Sequence, residues 1–190
     1  MSTSSPGRQH GISFLELILF MVIIGVGLVA ILSAMNVTTR TSSDPLRRKQ
    51  ALMIAESLME EVQLARFTYC DGSDPDVETA ANVAGCTIPD GFGPEPGNTR
   101  PFDNVNDYVN VAGTPDTDAF NNGAGALADV SGTALPVAGY TATLTIRQDT
   151  LNGFTGADVL RITIAVTYGG VDEIITLDGY RLRYAPNASP

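Results

Sequence analysis

From Leu17 to Leu32 the chain carries no charged residue and no strong hydrogen-bonding side chain, and the apolar run lasts to Met35. As a helix rising about 1.5 Å per residue, such a run is long enough to cross most of a bilayer. A single acid, Glu16, stands at its head. A carboxylate on a membrane helix costs about 2.5–3.5 kcal/mol on insertion scales, so it calls for a partner or a function. A free amine at Ile12 would be the natural partner, and cleavage after Gly11 would create one.

Two plainer readings compete. A secretory signal peptide has an apolar core of about 7–15 residues and small residues before its cut. This run is longer, contains Glu16, and offers only Leu32-Ser33-Ala34 as an exit site. An ordinary signal anchor agrees better, because Arg8 and His10 precede the run and fit the positive-inside tendency. It leaves Glu16 without a role.

The order Gly11-Ile12-Ser13-Phe14-Leu15-Glu16 puts a glutamate fifth after a glycine, at the head of an apolar helix. This resembles the class III signal of type IV pilins and type II secretion pseudopilins. The resemblance implies cleavage after Gly11 by a prepilin peptidase and methylation of the new N-terminus, Ile12. It also implies that Glu16 pairs with the N-terminus of a neighbouring subunit during assembly. The apolar segment would be an inner-membrane anchor before assembly and filament core afterwards, with the C-terminal part first periplasmic and then on the pilus at the cell surface. Ser13 and Phe14 depart from the commoner Thr-Leu pair, and the leader carries little positive charge.

With 190 residues there is room for one domain of ordinary size beyond the anchor. The formal net charge is −10, and loss of a leader containing Arg8 would deepen it. An acidic exterior argues against nucleic acid as a partner, since phosphate binding needs a basic surface. Cys70 and Cys86 are the two cysteines. In an exported chain they read as one disulfide closing a loop of about 15 residues, worth about 3 kcal/mol in the chain-entropy description, with two free thiols as the alternative. The single histidine, His10, lies in the leader. A processed chain would therefore lack imidazole altogether, which removes Ser-His-Asp and Cys-His catalysis and histidine metal sites. With no nucleophile motif either, no enzymatic role is assigned.

Five segments follow: a leader at 1–11, a membrane or filament-core helix at 12–35, an amphipathic continuation at 36–69, a loop-rich region at 70–138 and a β-region at 139–190. Gly25 and Gly27 suit close packing between membrane helices, and the pilin resemblance adds local melting there on entry to a filament. Asp44-Pro45 reads as an N-cap with proline at the first helical position, restarting or kinking the helix. From Leu46 to about Phe67, Leu52, Ala55, Met59 and Val62 recur at helical spacing, as do Ile54, Leu58 and Ala65. Arg47, Arg48 and Lys49 read as a solvated or lipid-facing helix start, and Glu56, Glu60 and Glu61 as the polar flank of the same helix.

The loop region is dense in Gly, Pro, Asn and Asp, with Arg100 nearly its only positive charge. Asp71, Asp74, Asp76 and Glu78 could supply oxygen ligands to calcium, but their spacing does not match an EF-hand loop, and a solvated acidic loop is the default. No other cofactor is expected. Pro101 to Tyr108 looks like a loop anchored by Phe102 and Tyr108, with Asp103 and Asn104 available to bond its backbone. After that, Tyr140, Ala142, Leu144 and Ile146 alternate with threonines, and Leu160, Ile162, Ile164, Val166 and Tyr168 alternate in the same way. A two-residue turn at Gly169-Gly170 then leads into Val171–Leu177. The expected fold is α+β and pilin-like: a long N-terminal helix whose amphipathic half packs on a C-terminal antiparallel meander.

The stretches Pro101-Phe102-Asp103-Asn104-Val105-Asn106-Asp107-Tyr108 and Asp178-Gly179-Tyr180-Arg181-Leu182-Arg183-Tyr184-Ala185-Pro186 resemble the MshD group of minor pilins, of the mannose-sensitive haemagglutinin pilus. That resemblance implies a minor structural subunit of a type IV pilus, with other pilin subunits and the assembly machinery as partners. Two alternatives remain open. One is a minor pseudopilin of a type II secretion piston, which neighbouring genes would separate from a pilus subunit. The other is a tip adhesin that uses loop aromatics such as Phe92, Phe102 and Phe120.

Overall fold

The computed structural model describes Gly11, residues 13–169 and residues 173–183, with the backbone alone for 36–44 and Thr155. Residues 1–10, where a leader is expected, Ile12, the expected cleavage and methylation position, and Tyr184-Ala185-Pro186 lie outside the described residues. The chain divides into two compact units, Met1–Pro45 and Leu46–Pro190.

Helix α1 is assigned from Phe14 to Leu64. It starts where the carbonyl of Ser13 accepts the N–H groups of Glu16 (3.0 Å) and Leu17 (3.1 Å). Within the first unit every described side chain from Phe14 to Met35 is exposed. That is the pattern expected of a helix whose surroundings are not water. Gly25 and Gly27 are helical like their neighbours. Of the two readings of Asp44-Pro45, the restart is overturned, because Pro45 lies inside α1. A proline there gives up its own N–H bond and crowds the carbonyl four residues before it, and the residues on both sides are helical all the same.

In the second unit, α1 buries Ala51, Ala55, Leu58, Met59, Val62 and, just past its end, Ala65. The predicted stripe is present but rotated: Leu52 is exposed and Ala51 takes the inward place. Small residues at 51 and 55 let the helix come close to the sheet. Each larger side chain buried there contributes about 1.5–3 kcal/mol.

The sheet has three antiparallel strands in the order β1-β2-β3: β1 Tyr140–Leu151, β2 Phe154–Tyr168 and β3 Glu173–Leu182. Leu144 faces Ile164 and Ile146 faces Ile162 across the first pair, all fully buried, so the alternation in sequence marks the core face. Central β2 supplies the most buried residues because it is flanked on both sides. The β1–β2 turn is Asn152-Gly153, with φ of 49° and 92°. Both central residues are left-handed, as a type I′ hairpin turn requires.

The β2–β3 register corrects the Gly169-Gly170 turn. That turn would pair Tyr168 with Val171, whereas Tyr168 pairs with Glu173. Residues 170–172 lie outside the described residues. The shifted register leaves Glu173 at the sheet end and sets Gly179 opposite Ile162. At Gly179 the helix side chains press against the strand: a Cβ there would lie 2.7 Å from Gln63 Nε2 and 2.8 Å from Met59 Sδ. The otherwise free edge of β1 is covered by the loop region, through Asp116 N–H to the Leu144 carbonyl (2.8 Å) and the reverse bond (2.9 Å).

Candidate functional site

Two parts of the chain carry the residues singled out by sequence. In the first, Gly11 is exposed and Glu16 is the third residue of α1, also exposed. The apolar stretch Phe14–Met35 is long and apolar enough to cross a membrane. At about 1.5 Å per residue its length matches the hydrocarbon thickness of about 30 Å. Glu16 therefore stands at the edge of the span and not at its middle. A carboxylate in the first helical turn also complements the unpaired N–H groups of the helix start, an effect of about 0.3–1 kcal/mol at an exposed site. So local electrostatics favour an acid here even before any partner is supplied. Arg47, Arg48 and Lys49, beyond the apolar stretch, are exposed on α1.

The second part is the loop region. Cys70 and Cys86 form a disulfide with Cα atoms 5.4 Å apart, and Cys70 is fully buried. The four acids weighed for calcium do not converge as a set. Asp71 accepts the N–H of Ser73 (2.8 Å), and Asp74 accepts those of Asp76 (2.7 Å) and Ile88. Asp76 accepts the Thr87 hydroxyl (3.3 Å), and Glu78 is exposed. Asp71 and Asp74 therefore cap local turns, the ordinary work of aspartate in a loop, and Asp76 ties the loop across to Thr87. Asp74 also approaches both cysteine sulfurs, but a disulfide has no thiolate to offer a metal.

Sequence reading missed the fastening of this region to the helix. Glu61, expected on the polar flank of the helix, forms a two-pronged ion pair with Arg100: Nε to Oε1 at 2.5 Å and Nη2 to Oε2 at 2.6 Å. The two side chains are only 8% and 11% exposed. Arg100 Nη1 also donates to the carbonyls of Phe120 (3.0 Å) and Ala128 (2.8 Å), and its guanidinium lies 5.2 Å from the Phe120 ring centre. The Tyr108 hydroxyl donates to Glu61 as well, at 3.0 Å. Burial and the Glu61 charge hold that phenol above its ordinary pKa, so it stays a donor. The signal in the sequence was the lone arginine of an acidic loop, but a separation of 39 residues hid its partner.

The loop aromatics turn inward. Phe120 is fully buried, Phe92 and Phe102 pack against the core, and the Phe102 and Tyr108 rings meet edge-on at 4.9 Å. Asn104 bonds the backbone of its own loop as expected, accepting the Val105 N–H (3.0 Å), whereas Asp103 reaches out of that loop to accept the N–H of Gly72 (3.1 Å). At the end of β3, Arg183 lies over the rings of Phe67 (3.8 Å) and Tyr69 (4.7 Å) and donates to the Thr68 carbonyl. Burial holds its pKa below the usual arginine value.

No family model, curated protein or solved structure matches the chain. What the structure shows is an N-terminal apolar helix long enough to span a membrane, and an α+β unit with a three-stranded antiparallel sheet and a disulfide.

Proposed function

We propose that the chain is a minor structural subunit of a type IV pilus, resembling the MshD group, anchored in the inner membrane before it enters the filament. The carrying observation is the pairing of an exposed apolar helix, Phe14–Met35, with one acid in its first turn, directly after Gly11. Such a helix is unstable in water and must be covered by lipid or by other helices. The second unit supports the reading by presenting a helix half packed on an antiparallel sheet.

The mechanism is electrostatic and apolar together. Cleavage after Gly11 leaves a charged amine at Ile12, and Glu16 of a neighbouring subunit attracts it in a low-dielectric surround, where opposite charges interact far more strongly than in water. That contact sets the axial register while the apolar side chains bury one another. Glu16→Ala is expected to insert in the membrane but to be depleted from sheared filaments. Incorporation at the wild-type level would defeat the electrostatic step. Mass spectrometry of the N-terminus decides the class: a methylated Ile12 supports it, and an intact Met1 refutes it.

A further inference from the structure

Outside the residues discussed so far, three carboxylates from different turns of the loop region converge. One oxygen each of Asp90, Glu95 and Asp107 lies within 4.8 Å of the others, and Glu95 has a second such grouping with Asp71 and Asp103. The backbone arranges this. Asp90 is held by its N–H bond to the Tyr69 carbonyl (3.0 Å), and Gly93 is held by its N–H bond to the Asn106 carbonyl (3.2 Å). Asp107 closes the 3-10 turn Val105–Tyr108, where its Oδ2 accepts the N–H of Asn104 (3.2 Å).

The donors of the loop do not satisfy these acids. Asn98 Nδ2 reaches Asp107 Oδ2 (3.2 Å), Asp103 Oδ1 (2.8 Å) and Glu95 Oε2 (3.4 Å), and Asn106 Nδ2 reaches Asp90 Oδ2 (2.6 Å). The other oxygens of both aspartates, Asp90 Oδ1 and Asp107 Oδ1, are buried with no hydrogen-bond partner among the described residues. Asp107 as a whole is only 1% exposed. Asn106, 6% exposed, also has its side-chain oxygen buried and unpartnered. Carboxylate oxygens placed this way are costly unless a proton or a cation meets them. The positive group that bears on Asp90 is Arg183, and it is already engaged with the Thr68 carbonyl and two rings.

We propose that Asp90, Glu95 and Asp107, with the side-chain oxygen of Asn106 beside them, bind a divalent calcium ion. The donors are all oxygens, which suits a hard cation and not zinc or copper. Three carboxylates and an amide oxygen on irregular loops fit the flexible coordination of calcium. Magnesium demands near-ideal octahedral geometry and usually keeps its waters. The neighbouring disulfide belongs to an oxidising compartment, where calcium modules work with dissociation constants of about 10⁻⁴–10⁻³ M. A bound ion would tie the stretch from Asp90 to Glu95 to the turn at Val105–Tyr108, and through Tyr108 to Glu61 on the helix.

The test uses the full chain in detergent, stripped with EGTA and titrated with calcium chloride or magnesium chloride in a calorimeter. One calcium per chain is expected, with magnesium at least about tenfold weaker. Near saturation the melting temperature should rise by about 5 °C or more. Glu95→Gln and Asp107→Asn should each weaken calcium at least about tenfold, whereas Glu78→Gln should leave it unchanged. The proposal is overturned if the folded wild-type chain takes up no calcium at about 10 mM, if magnesium binds equally well, or if Glu95→Gln binds as the wild type does. Should Asp107→Asn fail to fold, the wild-type titration and the partly exposed Glu95 variant still decide.

Discussion

Replacing Arg100 by methionine tests whether one buried cation holds the loop region to the helix. The substitution keeps the side chain long and apolar but removes both prongs to Glu61 and the donors to the Phe120 and Ala128 carbonyls. Glu61 would then be a buried carboxylate with only the Tyr108 hydroxyl to bond it among the described residues. Breaking a buried pair from one side costs about 3–5 kcal/mol, and the orphaned carbonyls belong to the same loss. In a domain of this size that is a fall in melting temperature of about 6–20 °C. Glu61→Gln should cost less, since the amide still accepts a bond and Arg100 keeps its two carbonyls. The double variant Glu61→Gln/Arg100→Met should be more stable than Arg100→Met alone, because no buried charge is left unpaired. Calorimetric melts of the four proteins in detergent form a complete cycle. A drop under about 2 °C for Arg100→Met, or a double variant less stable than Arg100→Met, would refute the reasoning.

Replacing both cysteines by serine frees a loop of about 15 residues and should lower stability by about 3 kcal/mol, read as earlier proteolysis between Tyr69 and Asp90. Equal protease resistance in the reduced and oxidised chains would contradict this. Gly179→Ala pushes a Cβ toward Met59 and Gln63 and should cost about 1 kcal/mol, with Gly179→Leu clearly worse; equal melting of all three would mean that the helix does not cross here. Stability should also depend on pH through the acid cluster. Burial lifts Asp90 to about 7 and Asp107 to about 8, with the charges of Asp90 and Glu95 adding to the rise at Asp107. Both ionise near pH 4 when unfolded, so protons stabilise the fold fully below that and the effect is lost as pH rises through 7 and 8. In EGTA the melting temperature should fall between pH 6 and 8.5, a range where ordinary carboxylates do not titrate, and calcium should flatten the fall. A level profile in EGTA would contradict it.

Periodicity made the regular elements readable. Ala55, Leu58, Met59 and Val62 recur at helical spacing, and Leu144, Ile146, Ile162 and Ile164 alternate, because each set has one core to face. Where no core lies behind the chain the pattern disappears. Beyond Ile146 the hairpin runs out through Arg147 and Gln148, turns at Asn152-Gly153 and returns through Ala157, all of them exposed. Alternation therefore underestimated both strands, although Asn-Gly is itself a hairpin signal. The site residues divide in the same way. Gly11 and Glu16 stand out because they border an apolar run. Asp71, Asp74, Asp76 and Glu78 drew notice by being close in sequence, yet their neighbourhood is made of turns that use the acids locally. Asp90 and Asp107 are far apart in the chain, and only the fold brings them together.

The loop region sends Val105, Tyr108, Val109 and Phe120 into the core, and the turns between them depend on how a few charges are matched. Arg100 satisfies one buried acid on the helix and two carbonyls of the loop, joining three segments through one guanidinium. Arg183 does the same at the other side, between the rings of Phe67 and Tyr69 and the Thr68 carbonyl. Asp71, Asp90, Glu95, Asp103 and Asp107 gather more negative charge than Arg183, and Arg66 near Asp103, can answer, since Arg100 is engaged with Glu61. Such an excess in a half-buried place is stable only with protons or with a metal ion. The order of residues 70–138 should therefore respond to solution conditions more than the helix and sheet do, whose contacts are apolar. Hydrogen exchange distinguishes the two: at pH 8 in EGTA, amides such as Gly93, Asp107 and Val109 should exchange through a cheaper opening than Ile162 and Ile164 on β2, and calcium should slow them. Equal opening energies for the two sets in EGTA would mean that the cluster is part of the global fold and not a separately controlled loop.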